Sequence, residues 1–174
     1  MVLDYIKIYN FNEDLLEDSK KYADVMLPAL TGGGKTSIRT CSEKYFHPAN
    51  PEDNSTDFYK KVENIVSDVT RKYVEDVPVA NKSLIQKHTG FHLLRYQHHE
   101  KYGEHVDDFN HVFRRLSITL NLNDQYTGGN FVVCGKVFNL KRNECLVFPS
   151  NFCFPHEISP VTHGERWSIV TWII

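Results

Sequence analysis

The feature that most constrains the fold is a change of hydrophobic period part-way along the chain. From about Ser83 onward the apolar residues stop recurring at helical spacing and alternate instead, in short runs at 91–97, 116–122, 130–133, 137–140, 145–148 and 167–174. Turn-forming clusters separate the runs: Tyr126-Thr127-Gly128-Gly129, Cys134-Gly135, Lys141-Arg142-Asn143, Pro149-Ser150-Asn151 and His163-Gly164. Short strands punctuated this closely predict an antiparallel barrel or sandwich rather than a parallel α/β sheet.

Two helical stretches precede the alternating region. In residues 12–27 the apolar positions Leu15, Leu16, Tyr22, Ala23, Met26 and Leu27 keep helical spacing, with Asn12 as the expected cap and Pro28 as the stop. Residues 56–74 are more regular, with Phe58, Val62, Ile65, Val69 and Tyr73 on one stripe. Such stripes are expected to pack onto a larger surface and to carry no cofactor. Between the helices, Thr31-Gly32-Gly33-Gly34-Lys35-Thr36 lacks the spacing of a phosphate-binding loop and reads as a plain flexible loop. The 174 residues are therefore expected to form a single domain, with 1–80 mainly helical support and 81–174 the barrel core.

Charge and cysteine usage narrow the function classes. With 20 basic and 22 acidic residues, the formal charge of −2 gives no basic surplus for nucleic acid. The four cysteines, Cys41, Cys134, Cys145 and Cys153, form no C-x-x-C pair, and a chain of this length does not need disulfides. No apolar run reaches membrane-spanning length, and Asp4 and Lys7 interrupt the start in a way unlike a signal peptide. These features lead us to expect a soluble cytoplasmic protein, as a monomer or simple homodimer.

Histidine is the unusual residue. Of nine histidines, His88, His92, His98, His99, His105 and His111 crowd into one stretch that also holds Asp107 and Asp108. In a strand, residues two apart share a face, so His105 and Asp107 can offer a nitrogen and an oxygen to one cation. His156 is the candidate third ligand, and Arg166 opens the last strand ten residues further on. Two histidines and a carboxylate leave coordination positions open, an arrangement suited to ferrous iron that binds a co-substrate and O2. Arg166 and Ser168 share a strand face and can hold a carboxylate by a charge-assisted fork plus a hydroxyl. The other histidines, His47 and His163 included, read as ordinary surface or hydrogen-bonded residues.

The ordered set Ser37-Ile38-Arg39-Thr40-Cys41-Ser42, Leu94-Arg95-Tyr96, Tyr102-Gly103-Glu104-His105-Val106-Asp107, Leu122-Asn123-Asp124 with Gly128-Gly129, Phe148-Pro149, His156 and Pro160-Val161-Thr162-His163-Gly164-Glu165-Arg166 resembles the 2-oxoglutarate- and Fe(II)-dependent dioxygenases. Within them it is most similar to the prolyl 4-hydroxylase branch. The resemblance implies a mostly β fold with supporting helices, a double-stranded β-helix of the jelly-roll or cupin-like kind buttressed by N-terminal helices. It implies His105, Asp107 and His156 as iron ligands, Arg166 with Ser168 as the anchor for 2-oxoglutarate, and Tyr96 as a further co-substrate contact. Tyr102, Arg114 and Trp172 match substrate-contacting positions.

The reaction so implied hydroxylates a prolyl residue of a peptide or protein, consumes O2 and 2-oxoglutarate, releases succinate and CO2, and uses ascorbate as a reductant. A free amino acid, another small molecule or a nucleobase is the alternative substrate, with residues 36–55 and 108–115 deciding between them. A non-catalytic binding barrel would have lost a ligand or the arginine, and a zinc hydrolase would not need Arg166. Two departures from the branch stand out. Asn121 occupies a position that is often a tyrosine contacting the co-substrate, and the turn after Gly129 runs straight through Asn130 to Phe131.

Overall fold

The computed structural model describes residues 2–31, 37–80, 87–108 and 113–174. Thirteen strands and three α-helices occupy these residues. In chain order they are β1 (Lys7–Asn10), α1 (Leu16–Lys20), β2 (Leu27–Pro28), β3 (Ser42–Phe46), α2 (Pro51–Asn54), α3 (Asp57–Asp76), β4 (Phe91–Tyr96), β5 (Tyr102–His105), β6 (Leu116–Asn121), β7 (Thr127–Gly128), β8 (Phe131–Val133), β9 (Lys136–Phe138), β10 (Glu144–Pro149), β11 (His156–Ile158), β12 (Val161–His163) and β13 (Arg166–Ile173). All sheet pairings are antiparallel. The major sheet runs β1-β10-β6-β13-β4-β3-β2, the minor sheet β5-β11-β8-β9, and β12 pairs with β7. This is a double-stranded β-helix: two antiparallel sheets face each other, and the helices cover the outside of the larger one.

Strand alternation explains the layering, because successive side chains point to opposite sheet faces. On β6, Leu116, Ile118 and Leu120 join Leu93, Trp167, Ile169 and Ile173 in an outer core against α3, which buries Phe58, Tyr59, Val62, Ile65, Val66, Val69 and Tyr73. The Thr56 hydroxyl accepts from the Tyr59 amide and fixes where α3 begins. The opposite face of the major sheet contributes Leu94, Tyr96, Leu146 and Phe148 to a second core, shared with Phe131, Val133 and Ile158 of the minor sheet.

The N-terminal part carries strands as well as the helices expected over residues 1–80. It supplies three strands of the major sheet, and β3 lies directly beside β4 in the register Glu43↔Leu94 and Phe46↔Phe91. The helix expected over 12–27 is also shorter. α1 spans only Leu16–Lys20, a 3-10 turn follows at Ala23–Val25, and Leu27–Pro28 is already a strand. Leu15 takes the N-cap position with no side-chain cap bond, in place of the expected Asn12, and just before it the Asp14 carboxylate accepts from the Leu16 amide. A longer helix would carry residues 27 and 28 away from their pairing with Glu43 and Ser42. The glycine-rich loop falls mostly on residues 32–36, outside the described residues, as does His111.

Candidate metal and co-substrate site

β5 and β11 lie side by side with His105 directly opposite His156, and Asp107 follows two residues after β5. Ligand atoms of His105, Asp107 and His156 all come within 4.8 Å of one another, the one such group of histidine, cysteine or acidic residues among the described residues. His156 Nε2 is 3.3 Å from Asp107 Oδ2, and His105 Nε2 is 3.7 Å from Oδ1. Each ring is oriented from behind. His105 Nδ1 is 2.9 Å from the Gly103 carbonyl and His156 Nδ1 is 3.0 Å from the Phe154 carbonyl. A carbonyl only accepts, so both Nδ1 atoms carry the hydrogen and both Nε2 atoms are turned toward Asp107.

Protonation favours ligation as well. Burial, then the neighbouring His156, lowers the His105 pKa to about 4, so its imidazole is neutral. Burial alone would raise the Asp107 pKa. His156 and the Ser117 hydroxyl outweigh it and hold the carboxyl well below the ordinary range, keeping it ionised. Ser117 Oγ donates to Asp107 Oδ2 at 2.7 Å and lies 2.8 Å from Ser150 Oγ. Around the rings, Tyr102 stacks on His105 with centroids 3.6 Å apart, and Phe131 lies parallel to His156 at 5.7 Å.

Arg166 sits at the inner end of β13, only 1% exposed. One terminal nitrogen donates to Ser168 Oγ at 2.9 Å, whereas the other, Nη2, is buried with no hydrogen-bond partner. No acidic side chain pairs with this guanidinium among the described residues, and a buried, uncompensated arginine is costly unless an anion arrives to complete it. Tyr96 lies beneath it, 5.5 Å from guanidinium carbon to ring centre. Burial, and next Cys41, pushes the Tyr96 hydroxyl well above its ordinary pKa, so it remains an O–H. The Gly128-Gly129 turn passes so close that a Cβ on Gly129 would stand 3.2 Å from Arg166 Cδ, and one on Gly128 would meet the Pro160 carbonyl at 2.1 Å. Both glycines have positive φ, so their residue type is set by backbone as well as by space.

One cavity of about 300 Å³ joins these parts, lined by His105, Asp107, His156, Arg166, Tyr96, Tyr102, Arg114 and Trp172 together with residues of the major sheet. The donor set and the unpaired Arg166 nitrogen at the same cavity fit a ferrous ion and a carboxylate-bearing co-substrate. Ser168 does not line the cavity; it is fully buried and holds Arg166. Arg114 donates to the Asp107 main-chain carbonyl at 3.1 Å and stacks over Trp172 at 3.5 Å. Asn121 turns its amide nitrogen to the Asn123 and Leu140 carbonyls and its oxygen to the Tyr126 hydroxyl, at 3.1 Å in the last case. Among the other described histidines, His88 pairs with Glu63 and His163 contacts Thr127, whereas His92 lines the same cavity as the ligand group.

Residues 91–174 match the model of the 2OG-Fe(II) oxygenase superfamily, a match that implies Fe(II), 2-oxoglutarate and O2. The matched stretch is the barrel from β4 to β13. PKHD-type hydroxylases of Idiomarina loihiensis and Maricaulis maris are 33% and 36% identical over 89 residues, which is 47% of this chain and 40% of each of those proteins. The matched stretch thus spans about two fifths of these relatives' length. A prolyl hydroxylase from Trichoplax adhaerens, solved with a hypoxia inducible factor peptide, superposes with a TM-score of 0.77 at 17% identity, over 98% of this chain and 84% of that one. A prolyl-4-hydroxylase from Pseudomonas putida gives 0.75 at 18%, over 97% and 91%. These two share the fold of this chain.

Several site residues carry no family motif and were not singled out from sequence. Ser117 and Thr119 have a readable signal, because the polar positions of Leu116-Ser117-Ile118-Thr119-Leu120-Asn121 alternate with apolar ones and all face the cavity side. Ser150 and Glu43 have none, since only the tertiary fold brings them to the site.

Proposed function

We propose that this chain is an Fe(II)- and 2-oxoglutarate-dependent dioxygenase that hydroxylates prolyl residues in a peptide or protein. The observation that carries the reading is the pairing, at one cavity, of the His105–Asp107–His156 ligand group with a buried arginine whose Nη2 lacks a partner. The prolyl hydroxylases among the solved relatives, one of them with a peptide bound, support the substrate class. Nε2 of His105, Nε2 of His156 and the Asp107 carboxylate would hold the metal. Bound iron would supply the oxygen chemistry that couples conversion of 2-oxoglutarate to succinate and CO2 with hydroxylation of a C–H bond.

The protein's own residues position and exclude. Arg166, held by Ser168, takes the far carboxylate of the co-substrate and fixes its distance from the ligand group. Tyr96, still an O–H, contributes a donor at the same depth. Ser117 keeps Asp107 ionised and aimed, and Tyr102 shields the exposed side of His105. Arg114 and Trp172 form the outer wall where a prolyl segment would lie. No helix among the described residues is long and apolar enough to cross a membrane. The four cysteines are all free thiols, which fits action in the reducing cytoplasm.

The test is an anaerobic titration of metal-free protein with Fe(II) and then 2-oxoglutarate, followed by a succinate-release assay with prolyl peptides, free amino acids and nucleobases. A visible charge-transfer band that is absent in His105→Ala, and succinate release stimulated by prolyl peptides, is the expected result. A band with stimulation only by small molecules would move the substrate to that class. No band with iron bound would overturn the dioxygenase reading itself.

A further inference from the structure

The wall of the cavity formed by the major sheet carries a polar string outside the ligand group. Arg39 Nη2 donates to Glu43 Oε2 at 3.1 Å, and the same oxygen lies 3.3 Å from His92 Nδ1. All three residues line the cavity. Glu43 is on β3 and His92 on β4, both on the inward face, whereas His105 and His156 belong to the minor sheet. Burial alone would raise the Glu43 pKa, but His92, Arg39 and the Leu30 amide bring it below its ordinary value. Its carboxylate is therefore acceptor-only, and the hydrogen between it and His92 must sit on Nδ1.

That assignment defines the rest of the ring. The His92 ring is clamped, stacked on Tyr45 at 4.5 Å and edge-on to Trp172 at 5.1 Å. The side chain is about four-fifths buried, yet among the described residues no side chain or main-chain group bonds its Nε2. In the neutral imidazole this Nε2 is a lone pair, an acceptor on a residue that lines the cavity. Its neighbours on the same rim are donors: Arg39, Arg114 and the Trp172 indole, whose N–H is buried without a partner. A peptide main chain offers both N–H donors and C=O acceptors and matches such a rim, whereas a second carboxylate would offer acceptors only.

We infer that His92 is a specificity-determining residue, oriented by Glu43, whose Nε2 accepts a hydrogen bond from a main-chain N–H flanking the hydroxylated prolyl residue. This rests on the prolyl-peptide reading of the site. A prolyl peptide bond has no N–H of its own, so the donor comes from a neighbouring residue, and sequence selectivity follows from which neighbour reaches the ring.

The experiment measures succinate release with a panel of prolyl pentapeptides, each as the parent and with one flanking amide N-methylated, plus free proline as the small-molecule arm. Enzymes are the wild type and His92→Phe, which keeps the ring and its stacking, with the anaerobic Fe(II)/2-oxoglutarate band as the control for an intact site. In the wild type, methylation of one flanking amide raises KM about tenfold, the loss expected for one hydrogen bond with a buried partner, with kcat changed less than about twofold. His92→Phe raises KM for the parent peptide by the same factor and is indifferent to that methylation, and Glu43→Ala raises KM in the same direction. Equal KM for parent peptide in wild type and His92→Phe, or an undiminished methylation penalty in the variant, overturns the contact and leaves the prolyl reading standing. A band with no stimulation by any peptide overturns the prolyl reading, and the contact with it.

Discussion

The two faces of the major sheet are built from the same strands to opposite ends. On β6, Leu116, Ile118 and Leu120 point outward into an apolar layer under α3, while Ser117, Thr119 and Asn121 point inward. Every one of these six residues is buried, so exposure does not distinguish the faces. Partners do. Outward residues touch hydrocarbon and contribute burial energy. Ser117 hydrogen-bonds Asp107, the proposed metal ligand, and Asn121 holds Tyr126. The outer face should therefore govern stability and the inner face activity, and substitutions on either side can break that division.

The largest effect belongs to the ligands. His105→Ala or Asp107→Ala is expected to remove iron-dependent turnover by a factor on the order of 10³ or more, because two remaining ligands hold the ion poorly. Chelation should do the same to the wild type without unfolding it, since the two cores surrounding the site are apolar and need no metal. Loss of activity together with loss of the circular dichroism spectrum on chelation would show instead that the metal is structural. On the outer face, Leu120→Ala leaves a cavity beneath α3 and should cost about 2–5 kcal/mol of unfolding free energy, read by denaturant titration. Its kcat per folded molecule should stay near that of the wild type. A matching fall in kcat would mean that the two faces are mechanically coupled.

Ser117→Ala sharpens the comparison further, because it changes one inward atom next to two outward neighbours. It removes the 2.7 Å bond to Asp107 Oδ2, and loss of such a supporting contact typically weakens metal binding about 10–100-fold. The affinity for Fe(II), followed by competition with a chelator, should fall by that factor while the melting temperature moves by only a few degrees. A large drop in melting temperature with unchanged iron affinity would place Ser117 with the structural residues.

How much of this could be read from the sequence follows the same division. The alternating runs that became β4, β6, β8, β9, β10 and β13 are legible because their outward residues are apolar and turn residues separate them. The ligand group is legible because His105 and Asp107 are two residues apart, and His156 and Arg166 belong to one ordered motif. β3 is hidden for the opposite reason. Its inward position Glu43 is charged, so the alternation that marks a strand is broken where the strand serves the cavity. Ser150 reaches Ser117 across 33 residues, and Asn121 exchanges an expected co-substrate contact for a bond to Tyr126; neither carries a local pattern. α1 is shorter than its apolar spacing suggests, because that spacing records which residues are buried and not whether the backbone between them stays helical.

The smallest effect comes from a carboxylate that looks like Asp107 and serves the other purpose. Asp53 is also buried, and its oxygens accept from Lys44 Nζ at 2.9 Å, the His47 amide at 3.0 Å and Asn50 Nδ2 at 3.1 Å. It ties the end of β3 to α2, away from the cavity. Burial would raise its pKa, but these bonds, with Lys44 first among them, hold it below the ordinary carboxylate value. A depressed folded-state pKa means that the stabilisation is complete above the unfolded value, roughly 4, and is lost as the pH falls through the folded one. Asp53→Asn should therefore cost about 1–2 kcal/mol at pH 7, with the two unfolding curves converging at pH 3 and below. Iron affinity and KM for 2-oxoglutarate should be untouched. A difference that persists undiminished at low pH would mean that the contribution comes from packing and hydrogen-bond geometry rather than charge. A change in iron affinity would mean that β3 transmits strain from α2 through Glu43 to the cavity wall, and the separation of the two faces would fail at that strand.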